Sequence, residues 1–200
     1  MNSAILMVEP GVRAPAEVES GDAEIVAAIR RGERRVALAL CARRHGSALG
    51  RVCMAMLGSQ AEADDAVQET LLAAHGGFEA FRGDGSLRAW LFGIARRRCA
   101  RVLERRGVTG AAVEQADLRT ADVLLDVRRR AETARELLAR VRPSEREALL
   151  LRYAGELSFR EVGEAVGVDE ATARKRVSRA LARLRELARE SPPLAARRDE

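Results

Sequence analysis

The chain has 200 residues, enough for one domain or two small ones, with 47% hydrophobic, 32% charged and only 3% aromatic residues. Alanine, leucine, arginine and glutamate dominate, all strong helix formers, so an all-α protein is expected and a collagen, a disulfide scaffold or a fully disordered chain is excluded. There are 35 basic and 30 acidic residues, net +5, and every basic residue but Lys175 is an arginine, whose planar fork suits phosphates and guanine edges. Three cysteines, Cys41, Cys53 and Cys99, are an odd count that fits reduced thiols in a cytoplasm. Ala4–Val8 is too short for a signal h-region, and no run reaches the roughly 18 apolar residues that cross a bilayer, so a soluble cytoplasmic protein without membrane insertion is expected.

Residues 1–20, with Pro10, Gly11 and Pro15, carry no sustained helical period and read as a flexible lead. Asp22 is an expected N-cap, after which Ile25, Val26, Ile29, Val36, Leu38, Leu40 and Leu49 follow helical spacing, with interruptions expected at Gly32 and over Gly46–Gly50. A further helix through Val52–Leu57 ends at Gly58. Ser59-x-x-Glu62 has the capping-box spacing and opens a helix that Gly76-Gly77 stops. A bend and glycine-rich loop over Phe78–Ser86 lead into a basic helix ending near Arg106, whose Leu87, Trp90, Leu91 and Ile94 share a face.

Residues 107 to about 127 carry Glu114, Asp117, Asp122 and Asp126 against Arg119 and read as an acidic tether. A second helical block starts near Arg130. Ser144-x-x-Glu147 after Pro143 and Ser158-x-x-Glu161 read as two more capping boxes, and Asp169 as the cap of a last helix to about Glu190. Ser191-Pro192-Pro193 closes the fold. The expected boundaries are a lead over 1–20, a helical domain over 21–106, a linker over 107–129, a second helical domain over 130–190 and a tail over 191–200.

Three stretches carry chemistry. Around the turn at Gly167, Val162, Val166, Val168, Ala173 and Val177 stand where a helix-turn-helix needs apolar packing, and Gly163 is small at the crossing point. On the last helix Ala173, Val177, Ala180 and Leu184 form one face, leaving Arg174, Lys175, Ser178 and Arg179 free to enter a major groove. Over 170–190 seven basic residues face three acidic ones. An amphipathic helix with a solvated basic face would account for the same pattern. The helix from Leu87 to Arg106 holds Arg88, Arg96, Arg97, Arg98, Arg101, Arg105 and Arg106 against Glu104. With Phe78, Phe81, Trp90 and Phe92 nearby, it suits a groove that follows phosphates and stacks unpaired bases, although Trp90 by itself reads as core. Arg98 lies near the apolar stripe, so the second half of this helix is expected to project from the core. The 61–70 stretch has the opposite sign: Glu62, Asp64, Asp65 and Glu69 with no base among them, favourable to a helix N-terminus and to a basic protein partner.

Catalytic signals are lacking: His45 and His75 have no nucleophile–acid pairing, and no phosphate-binding glycine fingerprint occurs. Cys41-x3-His45 lacks the paired spacing of zinc sites, so buried thiols and a surface histidine are expected, with no catalytic residue, metal or cofactor.

Together these pieces resemble a bacterial extracytoplasmic-function (ECF) sigma factor. Ala63-Asp64-Asp65-Ala66-Val67-Gln68-Glu69-Thr70-Leu71 is similar to the family's region 2.2, and Phe81 through Arg96 to region 2.3 and the start of region 2.4. Pro143, Arg146–Arg152, Leu157-Ser158 with Glu161, and Thr172–Arg176 are similar to region 4. The resemblance implies two small helical domains, a region 2 bundle and a region 4 helix-turn-helix, on a flexible acidic linker, and no enzymatic activity. It implies core RNA polymerase as a partner, through its β′ and β subunits, with Asp64, Asp65, Gln68 and Glu69 docking on the β′ coiled coil. Promoter DNA is the second implied partner. Phe81, Arg82, Asp84, Ser86, Arg88, Trp90, Arg96, Arg97, Arg98 and Arg101 would serve −10 recognition and melting. Arg152, Thr172, Arg174, Lys175, Arg176, Ser178 and Arg179 would meet the −35 element. An anti-sigma factor is a third implied partner. Arg97 and Arg101 stand where the family often has Asn and Asp. A stand-alone helix-turn-helix regulator that binds duplex without polymerase would share the region 4 pattern and leave the 61–106 motifs unused.

Overall fold

The computed structural model describes residues 15–81, 83, 85–109 and 132–190, with side chains from Asp22 to Gly107 in the first part. Every regular element among them is helical, and no strand occurs. The elements are α1 (Pro15–Arg30), α2 (Arg34–Leu57), α3 (Gln60–Gly77), a 3₁₀ turn at Phe78–Ala80, α4 (Leu87–Thr109), α5 (132–139), α6 (Pro143–Tyr153), α7 (Phe159–Val166) and α8 (Glu170–Glu190). None of the described helices is long and apolar enough to cross a membrane. The acidic tether falls largely outside the described residues, as does the tail.

Helices α1–α4 pack into a bundle around Ile25, Ala28, Ala37, Cys41, Leu49, Val52, Cys53, Phe78, Leu91, Phe92 and Cys99, all 0–1% exposed. Helix α2 runs unbroken through Gly46 and Gly50, against the expected interruption, because Cys41, His45, Ala48, Leu49 and Val52 keep one face buried across them. Packing of an amphipathic face outweighs two unfavourable propensities. Helix α1 starts at Pro15, ahead of the expected Asp22 cap. Asp22 instead accepts hydrogen bonds at Oδ1 from Arg44 Nε at 3.1 Å and His45 Nε2 at 2.9 Å, so His45 is a buried, paired residue and not the surface histidine expected. The second half of α4 does not project: Cys99 is buried, and Arg106 bonds Glu62 and donates to the Leu57 carbonyl at 2.9 Å, tying α4 to α2 and α3.

All three thiols are buried, and burial pushes Cys41 up to about 12. Ser59 caps α3 by accepting from Glu62 N at 3.5 Å, but Glu62 turns its carboxylate to Arg106, so only half of the expected box forms.

The second half of the chain builds a smaller core from Val141, Ala148, Leu151, Leu157, Val162, Ala173, Val177 and Ala180. The box expected at Ser144 does not form. Arg142 is the N-cap, Pro143 takes the first turn where no N–H is needed, and Glu147 is drawn away to Arg96. The box at Ser158 is complete: Glu161 N donates to Ser158 Oγ at 3.2 Å and Ser158 N to Glu161 Oε2 at 2.8 Å. Gly167 then turns the chain in a left-handed conformation, φ 75°. Asp169 receives Thr172 N at 2.8 Å and Thr172 Oγ1 at 2.7 Å, which opens α8 and holds the Asp169 carboxyl below the usual carboxylate range.

Candidate nucleic-acid and protein interfaces

Helix α3 buries Ala63, Ala66, Thr70 and Ala74, one residue per turn, and thereby turns Asp64, Asp65, Gln68 and Glu69 to solvent. Asp64 accepts from Gln60 at 2.8 Å, and Glu69 meets Arg98 at 3.4 Å. Leu72 extends this acidic face and is 69% exposed, an apolar side chain three residues after Glu69 and seven after Asp65. Sequence reading passed over it, although the helical spacing from Asp65 marks it. A carboxylate cluster around an exposed leucine offers a basic helix both charge and apolar contact.

The aromatic cluster lies where α3, the 3₁₀ turn and α4 meet. Phe81 and Trp90 rings are 5.3 Å apart, and Trp90 and Phe78 6.1 Å. Phe78 is buried, whereas Phe81 and Trp90 keep partial exposure. Trp90 therefore packs on the core without disappearing into it. Ser86 caps α4, accepting from Ala89 N at 3.2 Å. Arg97 and Arg101 stand at the surface along α4, and partial desolvation of the Arg97 guanidinium, with the charges of Arg96 and Arg101, lowers its pKa. Crowded like charges favour a polyanion that neutralises them. Arg82 and Asp84 lie outside the described residues.

Three further members of the predicted set face inward. Arg88 is 7% exposed, lies over the Phe92 ring and donates from Nη2 to the Gly155 carbonyl at 2.5 Å. Arg96 meets Glu147 at 3.2 Å. Ser86 donates from its backbone N to Glu164 and from Oγ to Glu161, both at 2.9 Å. Sequence reasoning gave no sign of these contacts, because they join residues 51 to 78 positions apart.

In the helix-turn-helix, Ala173, Val177 and Ala180 are 0–2% exposed, and Arg174, Lys175, Ser178 and Arg179 stand in solvent, with Thr172 and Arg176 half-buried at the margin. Phe159, at the start of α7, was also passed over. Arg174 lies 4.6 Å above its ring centroid and Arg152 5.1 Å, so one aromatic orients guanidinium groups from α6 and α8. Arg152 is further fixed by donating to the Leu157 carbonyl at 2.9 Å, and Arg174 by Glu170 at 2.6 Å. Among the described residues no cluster of three or more His, Cys, Asp or Glu could hold a metal ion.

Comparison with known proteins divides the chain in the same two parts. The sigma-70 region 2 family model matches residues 41–109, and the sigma-70 region 4 model residues 131–184. The ECF RNA polymerase sigma factor SigM of Mycobacterium tuberculosis is 32% identical over 172 residues, covering 84% of this chain and 85% of that protein. SigG of the same species, also an ECF RNA polymerase sigma factor, is 31% identical over 160 residues, 66% of this chain and 43% of its own length. CnrH, solved in complex with the cytosolic domain of CnrY, superimposes with a TM-score of 0.67 at 25% identity over 86% of this chain and 99% of CnrH. The sigma factor RpoE, solved with the anti-sigma factor NepR from Bartonella quintana, gives 0.55 at 26% identity over 72% of this chain and 92% of RpoE. An acidic helix, an arginine-lined aromatic corner and a helix-turn-helix, in that order and with this coverage, have one common source: the chain belongs to the ECF family of RNA polymerase sigma factors.

Proposed function

We propose that this chain binds bacterial core RNA polymerase through the acidic face of α3 and carries it to promoters read at two elements. Asp64, Asp65, Gln68 and Glu69 dock on the β′ subunit, with Leu72 as an apolar anchor. Phe81, Trp90 and the α4 arginines take the −10 element, where a flipped base costs a few kcal/mol that a pocket and a cationic groove must offset. Arg174, Lys175, Ser178 and Arg179 enter the −35 major groove, with Arg152, Thr172 and Arg176 at its edge. The chain catalyses no reaction of its own, acts in the cytoplasm, and is held by an anti-sigma factor when idle. The observation that carries the reading is the sorting of α8, with apolar Ala173, Val177 and Ala180 inward and four groove-competent side chains outward.

The test is capture of purified host core polymerase, followed by transcription from genomic promoter fragments with and without the protein. Core capture and new start sites are expected. Specific duplex binding without core capture would replace the reading with that of a stand-alone regulator.

Phe159 gives a finer prediction. Phe159→Leu keeps an apolar residue at the start of α7 but removes the ring beneath both arginines. With two cation–π contacts worth about 0.5–1 kcal/mol each at exposed sites, affinity for a −35 duplex should fall by up to about five- to thirtyfold at unchanged helicity. Phe159→Tyr should restore it. Fluorescence anisotropy on the selected promoter measures both.

A further inference from the structure

Helix α4 carries seven arginines, and five of them are already engaged within the protein. Arg88 donates to the Gly155 carbonyl, Arg96 meets Glu147, Arg98 meets Glu69, Arg106 bonds Glu62, and Arg105 has a partner as well. Arg97 and Arg101 stand at the surface and make no hydrogen bond or ion pair among the described residues. Four residues apart, they lie within about 40° of each other on one face of the helix. Trp90, seven residues before Arg97, and Glu104, seven residues after it, fall on the same line, and Glu104 is exposed and unpaired among the described residues. Leu91, Ala95 and Cys99, all buried, stand opposite, and Arg96 and Arg98 take the flanks. From the aromatic corner outward, the exposed midline of α4 thus presents a ring, two free guanidinium forks and a free carboxylate.

Each part of that line suits a different state of DNA. The Trp90 ring, 5.3 Å from Phe81, suits stacking of unpaired bases, which places the melted strand there. Arg101 lies eleven residues further on, about 16 Å along the axis, so DNA that follows this face beyond the rings is still paired. Paired DNA offers phosphates and base edges, and two observations favour the edges. A helix laid in a major groove turns its midline to the bases and its flanks to the backbone, and both free forks are on the midline. Glu104 on the same line would repel a phosphate, whereas a carboxylate accepts from cytosine N4. Arg97 Nη1 also stands 3.5 Å from where a Cβ on Gly93 would be, so its side chain lies back along α4 toward Trp90. Its guanidinium is already partly desolvated there and has less water to lose on contact.

We propose that Arg97 and Arg101 are the specificity-determining residues of α4, each reading a guanine through O6 and N7 in the paired DNA that adjoins the −10 element on its −35 side. This deepens the reading of α4 as the −10 helix and rests on it. The forks are about 6 Å apart along the helix, so the two guanines lie no more than two base-pair steps of about 3.4 Å apart. The other arginines of α4, held by carboxylates and carbonyls of the protein, position the helix and select no base.

The test uses holoenzyme reconstituted from host core polymerase and the full chain. The template is one promoter on which it initiates, with the four base pairs next to the −10 element on the −35 side randomised. Each template carries a barcode in its transcribed region, so sequencing the transcripts scores every base. Guanine should be enriched about tenfold at two positions, always on the same strand at each. Arg97→Ala should erase the preference at one position and Arg101→Ala at the other. Arg97→Lys should erase it too, because an ammonium keeps the charge without the fork. Neither side chain has a partner to lose, so helicity and binding of a −35 duplex should match wild type. Absence of base selection by the wild type overturns the proposal. Alanine variants that lower output from all templates equally overturn it as well, and assign both forks to phosphates. Core capture is scored on the same preparations. Its failure removes the polymerase reading and this one together, whereas capture and new start sites without guanine selection remove this one alone.

Discussion

Gly163→Ala is expected to destabilise the helix-turn-helix domain of this sigma factor far more than the α1–α4 bundle. In an exposed helix the same change would be favourable, since alanine exceeds glycine by about 1 kcal/mol in propensity. Here an added Cβ would stand 2.6 Å from the Val168 carbonyl oxygen and 3.2 Å from the Asp169 carbonyl carbon. Both are backbone atoms of the turn that sets α8 against α7, so no rotamer change relieves the clash. Relief requires moving Val168, whose N–H bonds the Gly163 carbonyl at 2.9 Å, and Asp169, which caps α8. Overpacking of this kind costs about 1–3 kcal/mol or more, which outweighs the propensity gain. With about 3 kcal/mol lost, the melting temperature of so small a domain should fall by about 12–24 °C. Gly46→Ala and Gly50→Ala are the controls. Neither Cβ would meet anything within 4 Å, and each should stabilise the bundle by roughly 0.5–1 kcal/mol. Thermal melts followed by circular dichroism separate the three. A melt of the Gly163 variant matching wild type would show that the turn can shift freely.

Much of this fold was legible because its signals are local. Ser158 and Glu161 lie three residues apart, Asp169 three residues before Thr172, and both caps form as read. The apolar face of α8 follows from helical spacing alone, as do the exposed acids of α3. Where a local signal met a competing long-range partner, the partner won. Glu62 left its box for Arg106, Glu147 left its box for Arg96, and Asp22 took His45 and Arg44. A capping bond between neighbours is worth about 1 kcal/mol, so one bidentate or part-buried arginine suffices to redirect a carboxylate. The arrangement of Ser86, Arg88 and Arg96 against α6–α7 was invisible for a related reason. Arginine on a basic helix reads as solvent-facing, and nothing within a helical turn indicates that a carbonyl 67 residues away will receive Arg88.

The acidic face of α3 sets the second large effect, and the local partners decide how to test it. Asp65 is exposed, so reversing it to arginine places a cation at the centre of a surface that should meet a basic helix. Reversing Glu69 as well would set two cations side by side, because Arg98 lies 3.4 Å away, and would confound binding with repulsion inside the protein. Glu69→Gln removes the charge without that conflict. The surface pair it breaks contributes little to stability, about 0–1 kcal/mol. Like charges facing each other across an interface cost several kcal/mol, so Asp65→Arg with Glu69→Gln should weaken core polymerase binding by about 100-fold or more. The buried residues Ala63, Ala66, Thr70 and Ala74 are untouched, so helicity and melting temperature should stay near wild type. Leu72→Ser, which also leaves that stripe intact, should weaken binding by less, about tenfold, through lost apolar burial. Pull-down titrations with core polymerase measure both. Full core affinity in a folded double variant would move the docking surface away from α3. Wild-type binding that high salt does not weaken, with the larger loss in Leu72→Ser, would mean the contact is apolar and centred on Leu72.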